Sequence, residues 1–111
     1  MIWSCNEWLK KTYVKKDGND LIRPMAHCKD GFSISIQAAQ NACCRPRVTY
    51  GGPYRKVELR YPSEPEPLIF DYDYDPNDIY ISHAYYPYTP VEVVDEIIKK
   101  HGGIEDGRIE N

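Results

Sequence analysis

The spacing of apolar residues near the C-terminus constrains the fold more than any other feature of this sequence. Thr89 stands as the N-cap of a predicted helix, with Pro90 at its first position, Glu92 at its third and Gly102 just beyond its end. At 100° per residue, an arc of about 160° holds Val91, Val93, Val94, Ile97, Ile98 and His101. We therefore expect this helix to cover an apolar surface, and we interpret His101 as a helix-end residue that satisfies carbonyl groups.

Alternating residues in the first half of the chain predict the sheet that the helix covers. Residues 26–28 and 32–37 flank an Asp-Gly turn, which is typical of a β-hairpin. In such a hairpin Phe32, Ile34 and Ile36 lie on the buried face and the intervening serines lie outside. This face is the expected partner of the C-terminal helix.

Two more strands complete the predicted sheet. Residues 54–61 alternate, with Val57, Leu59 and Tyr61 on one face, and residues 79–85 are predicted as the last strand. The fold class is therefore α+β, a small antiparallel sheet packed by a C-terminal amphipathic helix.

The length of 111 residues fits one domain. We expect an N-terminal extension over residues 1–24, a single α+β domain over residues 25–104 and a flexible tail over residues 105–111. The extension is either helical, because Ser4 and Glu7 have the spacing of a capping box, or a hairpin closed by a turn at residues 16–19.

Charge is distributed unevenly along the chain. The net charge is -3, yet residues 61–98 contain no Lys or Arg, and they hold seven of the ten tyrosines. The acids in this stretch are Glu64, Glu66, Asp71, Asp73, Asp75, Asp78, Glu92, Asp95 and Glu96. Such a surface repels phosphates, so we expect no direct nucleic-acid binding through residues 61–98 and an attraction to basic partners. No apolar run approaches the roughly 20 residues of a membrane span, and we expect no membrane contact.

Tyrosines interleaved with aspartates are the best functional candidate in the sequence. Tyrosine offers large, rigid contact area with a polar tip, and it is enriched where proteins bind proteins. The predicted partner-binding residues are Asp71, Tyr72, Asp73, Tyr74, Asp75, Asp78, Tyr85, Tyr86 and Tyr88. We expect a protein with a basic surface as the partner and no enzymatic activity, and a homodimer is an open alternative.

A small basic patch supports an alternative function. Its residues are Lys29, Arg45, Arg47, Arg55 and Lys56. Guanidinium and ammonium groups bind phosphate, so this patch predicts a protein that binds or sequesters a nucleotide or another small anion.

A structural zinc site is the third hypothesis. The candidate ligands are His27, Cys28, Cys43 and Cys44. They are weak candidates, because neighbouring residues in an extended chain point to opposite faces, whereas zinc ligands usually lie two to four residues apart. We therefore expect neither metal nor cofactor. Four irregularly spaced cysteines favour a reducing cytoplasm over a secreted disulfide scaffold.

Four segments carry a family resemblance. They are CKDGFSISIQA at 28–38, CRPR at 44–47, VELRYPS at 57–63 and HGGI at 101–104. The set resembles a group of small uncharacterised proteins carried by phages and integrated mobile elements. The resemblance implies an accessory phage protein in the host cytoplasm that counters a host defence system, as anti-CRISPR proteins do. It also marks residues 1–24 as an extension, and it carries over no catalytic residue.

Overall fold

The computed structural model describes residues 3–12, 23–49 and 52–105. Its helices and strands are α1 (Cys5–Lys11), β1 (Ala26–His27), β2 (Ser33–Gln37), β3 (Lys56–Arg60), β4 (Tyr85–Pro90) and α2 (Val91–Lys100). Two 3-10 helices, Pro67–Tyr72 and Ile81–His83, lie between β3 and β4. The antiparallel sheet has the order β1-β2-β3-β4, and α2 packs on it, which confirms the predicted α+β class.

The predicted hairpin is present. Ala26 pairs with Ile34, and the Gly31 amide closes the turn by donating to the Cys28 carbonyl over 3.0 Å. Phe32, Ile34 and Ile36 are buried as expected. Ser35, expected outside, is buried as well, and its hydroxyl accepts a hydrogen bond from Gln37 Nε2 at 3.0 Å.

The third strand agrees with the prediction, whereas the fourth does not. Val57 and Leu59 of β3 are fully buried, but Tyr61 points outward because its positive φ of 54° turns the chain at the strand end. The predicted strand at residues 79–85 is wrong. Ile79 is 86% exposed, and β4 begins only at Tyr85.

Helix α2 follows β4 without a connecting loop. Pro90 occupies the N-cap, one residue later than predicted, and Thr89 belongs to the strand, where its hydroxyl donates to the Tyr86 carbonyl over 3.1 Å. The buried side chains of the helix are Val91, Val94, Ile97 and Ile98. The predicted apolar arc therefore faces the core.

Helix α1 has the predicted capping box. The Glu7 amide donates to Ser4 Oγ, and the Ser4 amide donates to the Glu7 carboxylate. The Cys5 amide donates to Asp95 Oδ1 of α2 over 2.7 Å, and Trp8 is fully buried in the same core cluster as the sheet. The described part of the predicted extension thus belongs to the core. The alternative turn at residues 16–19 lies outside the described residues, as does most of the predicted tail.

Among residues 3–12, 23–49 and 52–105, no helix has the length and apolar character that crossing a membrane requires.

Candidate functional site

The chain between β3 and β4, residues 61–84, forms a long connection that we call the β3–β4 loop. Loops beyond about 12 to 15 residues are uncommon in compact domains and are often functional. Eight large hydrophobic side chains are exposed in the described residues, and seven of them lie in this loop. They are Tyr61, Leu68, Phe70, Tyr74, Ile79, Tyr80 and Ile81. Clustered apolar exposure of this kind is typical of an interaction surface.

The base of the β3–β4 loop is fixed to the sheet. The Ser63 amide donates to the Ser33 carbonyl over 2.8 Å, and Ile69 is fully buried. Further along, the Tyr74 amide donates to the Tyr85 carbonyl over 2.9 Å. The exposed residues are therefore carried on a segment that is anchored at several points.

Aspartates order the outer part of the loop. Oδ1 of Asp73 accepts from the Asp75 amide at 3.1 Å, and Oδ1 of Asp75 accepts from the Asn77 amide at 3.2 Å. Asp78 accepts from the Tyr80 amide at 3.0 Å and contacts the His83 imidazole, and these two interactions lower the pKa of Asp78. Such side-chain turns restrict the backbone of this part of the loop.

The structure places the predicted partner-binding residues in three environments. Asp71, Tyr74 and Asp75 are exposed. Five others are partly exposed: Tyr72, Asp73, Asp78, Tyr85 and Tyr88. Tyr86 is only 3% exposed, because it pairs with Leu59 on the buried face of the sheet, so it supplies no contact area.

Sequence reasoning missed most of the exposed apolar side chains of the β3–β4 loop. Ile79 and Ile81 alternate with polar residues, a pattern that favours a half-buried strand. Leu68 and Phe70 flank the buried Ile69, and the three together resemble an ordinary core segment. The signal that marked this region is its composition: residues 61–98 have no Lys or Arg, nine acids and seven tyrosines.

Tyr85, the first residue of β4 after the loop, lies in a small polar cluster. The Arg60 guanidinium lies 4.0 Å above the Tyr85 ring centroid, and Arg60 Nε lies 3.2 Å from Glu58 Oε2. The Tyr85 hydroxyl donates to Cys43 Sγ, and burial raises the pKa of Tyr85. The Tyr74 ring lies beside it, with 5.6 Å between the ring centroids.

The backbones of four of the five predicted anion-binding residues lie close together. The Arg45 amide donates to the Lys56 carbonyl over 3.0 Å, and the Arg55 amide donates to the Arg45 carbonyl over 2.7 Å, with Arg47 two residues beyond Arg45. Lys29 does not join them. It lies next to Gly102, just past the C-terminal end of α2, whereas Lys56 pairs with Pro90 at the N-terminal end of that helix. The two ends of α2 are about 15 Å apart, at 1.5 Å per residue.

The weak metal candidates do not form a site. In the described part of the chain, no three His, Cys, Asp or Glu side chains cluster in a way that could hold a metal ion. Cys43 Sγ accepts from Tyr85, and Cys44 Sγ donates to the Ala39 carbonyl. Burial raises the pKa of Cys28 to about 11, so this thiol stays protonated and is a poor ligand and nucleophile.

The structure contains a polar cluster that was not predicted. It consists of Asp30, Glu66, Lys100 and His101, and we call it the His101 cluster. His101 Nδ1 lies 2.6 Å from Asp30 Oδ2, and His101 Nε2 lies 2.7 Å from Glu66 Oε1. Lys100 Nζ donates to Glu66 Oε2 over 2.8 Å. The Phe32 ring stacks on the imidazole with centroids 4.0 Å apart.

Carboxylates at both ring nitrogens favour the imidazolium form of His101. Burial by itself lowers the pKa of His101, but the hydrogen bonds to Glu66 and Asp30 outweigh it and raise the pKa. Both ring nitrogens are engaged with carboxylates, so neither is free to accept a proton from a substrate. The interpretation of this side chain as a partner of helix-end carbonyls is wrong, although the His101 amide does donate to the Ile97 carbonyl.

Comparison with protein families, curated proteins and solved structures finds no match to this chain. The resemblance to phage proteins therefore stays a prediction, and function has to be argued from the chemistry of the site.

Proposed function

We propose that this protein is a non-enzymatic binding protein that engages a basic surface of another protein through the β3–β4 loop. One observation carries the proposal: seven of the eight large hydrophobic side chains exposed in the described residues lie on this loop. The same loop has six acids and no Lys or Arg. Apolar contacts would supply affinity at about 25 cal/mol per Å² buried, and the carboxylates would supply steering and specificity.

The acidic character of the loop supports a particular class of partner. A protein groove that binds nucleic acid is lined with basic residues, and it accepts carboxylates in place of phosphates. The phage resemblance favours a host defence protein of this class, with the complex forming in the host cytoplasm.

Site-specific photo-crosslinking tests the proposed function. A photoreactive phenylalanine analogue replaces Tyr80 in the full chain, which is produced in cells of its natural source. Among residues 3–12, 23–49 and 52–105, Val48 is the one exposed large hydrophobic residue outside the loop, and it is the matched control position. We expect a discrete protein adduct from position 80 and none from position 48.

The charged part of the surface is tested in the same assay. Asp71→Asn combined with Asp75→Asn should weaken the adduct and reduce its sensitivity to salt, because both side chains are exposed and the loop backbone keeps its anchors. Equal crosslinking from positions 80 and 48, or an adduct indifferent to both substitutions, would contradict the proposal.

Binding of a small anion is a second candidate function. The backbone hydrogen bonds that join Arg45 to Arg55 and Lys56 support it, because they bring three basic residues together at the start of β3. We expect a nucleotide to raise the melting temperature of the wild type but not of Arg45→Ala combined with Arg47→Ala. Lys29→Ala is the control, since Lys29 lies at the far end of α2. If all three proteins respond equally, this candidate fails.

A further inference from the structure

Arg60, next to the β3–β4 loop, shows how this surface holds a guanidinium. Its Cζ lies 4.0 Å from the Tyr85 ring centroid, and its Nε lies 3.2 Å from Glu58 Oε2. One flat cation thus contacts an aromatic face and a carboxylate at the same time. Arg45 stacks on the Tyr88 ring in a similar way, with 4.5 Å between Cζ and the centroid.

The β3–β4 loop carries the same two chemical groups, exposed tyrosine rings and carboxylates. Tyr74 lies against Tyr85 and is 73% exposed, and Tyr80 is 63% exposed although its ring centroid lies 5.5 Å from that of His83. Among the residues that the structure describes, no Lys, Arg or His forms an ion pair with Asp71, Asp73 or Asp75. The loop therefore presents open aromatic faces beside carboxylates that carry uncompensated charge.

Arginine and lysine differ on such a surface. A guanidinium is planar, weakly hydrated and able to stack on a ring while it binds a carboxylate, whereas an ammonium is a compact, strongly hydrated charge. Stacking over an exposed aromatic ring contributes about 0.5 to 1 kcal/mol per contact. A surface of carboxylates alone lacks the stacking contribution, because it binds a cation only through charge and hydrogen bonds.

We infer that the partner of the β3–β4 loop presents arginine side chains, which stack on Tyr74 and Tyr80 and pair with Asp71 and Asp75. The inference rests on the proposed function and names the chemistry of the partner surface. It fits the intramolecular example of Arg60, whose guanidinium contacts the Tyr85 ring, the same ring that the Tyr74 ring contacts.

Two labelled peptides of equal length and charge, hexa-arginine and hexa-lysine, test this inference by fluorescence anisotropy with the full chain. We expect the arginine peptide to bind about fivefold more tightly, as two stacking contacts imply. Tyr74→Leu combined with Tyr80→Leu keeps the charge and apolar character of the loop, and it should bring the two Kd values together. Asp71→Asn combined with Asp75→Asn is the matched charge variant. It should weaken the binding of both peptides and leave the preference for the arginine peptide unchanged.

Equal Kd values for the two peptides, no binding of either, or a preference that survives Tyr74→Leu and Tyr80→Leu would overturn the inference. Circular dichroism of each variant establishes that the fold is kept. The outcome is separate from that of the photo-crosslinking: an adduct at position 80 without an arginine preference leaves the proposed function standing and removes only this inference.

Discussion

Two regions of this protein distribute polar and apolar groups in opposite ways. The His101 cluster takes the Glu66 carboxylate and the His101 imidazole out of water and pairs them. His101, Lys100 and the Leu68 amide all hydrogen-bond to the buried Glu66 carboxylate. The β3–β4 loop instead leaves apolar groups in water, with Ile79 at 86% exposure. The first region therefore uses its interactions in folding, whereas the second leaves its apolar side chains in contact with water.

Glu66 connects the two regions. It lies within the β3–β4 loop and caps the 3-10 helix Pro67–Tyr72, and its carboxylate reaches back to the end of α2. The loop therefore has a base that is part of the folded core and an outer part that is not. Substitutions in the core should therefore lower stability, whereas substitutions in the outer part of the loop should leave it nearly unchanged.

The largest effect is expected on the core side, at helix α1. Trp8→Ala removes a fully buried side chain, and large-to-small changes of this kind destabilise by about 4 kcal/mol. Urea unfolding followed by circular dichroism measures the change. Lys10→Ala on the same helix, at an exposed position, should shift the free energy of unfolding by less than about 0.5 kcal/mol. Similar values for the two variants would mean that α1 is not part of the core.

The next largest effect is expected in the His101 cluster. His101→Ala leaves the buried Glu66 carboxylate without one of its donors, and removal of one member of a buried pair costs about 3 kcal/mol. His83→Ala is the matched control, because His83 also contacts an aspartate, at 3.0 Å, but its side chain is 61% exposed. We expect a cost below about 1 kcal/mol for this exposed pair. Equal losses in the free energy of unfolding for His101→Ala and His83→Ala would contradict the difference between the two regions.

The His101 cluster should also give the protein a distinct dependence on pH. Because the pKa of His101 is raised on folding, its contribution is complete below about pH 6.5 and is lost as pH rises through the folded-state pKa. The pKa values of Asp30 and Glu66 are lowered, so their contribution is lost only as pH falls through those values. Stability should therefore decline toward alkaline pH in the wild type and in His83→Ala. If stability declines by the same amount in His101→Ala, the decline comes from groups other than His101.

The smallest effect on stability is expected in the β3–β4 loop. Phe70→Ser and Ile79→Ser replace exposed side chains, so each should change the free energy of unfolding by less than about 0.5 kcal/mol. The same substitutions should reduce the adduct formed from position 80, since they remove apolar contact area. A marked loss of stability would show that these side chains serve the fold, and the comparison between the two regions would break down.

Local signals were sufficient to predict much of the fold. The Asp-Gly turn, the capping box of α1 and the apolar arc of α2 each depend on residues that are neighbours in sequence, and each is present. The fourth strand was misplaced because Pro87 and Pro90 argue against a strand. Proline is tolerated at a sheet edge, and β4 is an edge strand, but the order of the strands is not visible in the sequence.

The candidate site was predictable only in part. The acidic, tyrosine-rich composition located the β3–β4 loop, but composition alone does not separate the exposed Tyr74 from the buried Tyr86. The His101 cluster was missed for another reason. Asp30 lies 71 residues and Glu66 lies 35 residues from His101 along the chain, so only the tertiary fold brings them together.

The two tryptophans give the protein a built-in optical reporter. Trp3 and Trp8 are the only ones in the sequence, and their ring centroids lie 6.1 Å apart at helix α1. Tryptophan emission therefore reports on the docking of α1 and not directly on the β3–β4 loop. A partner that alters this emission would have changed the environment of the N-terminal helix, and a partner that binds without altering it would have left that helix in place.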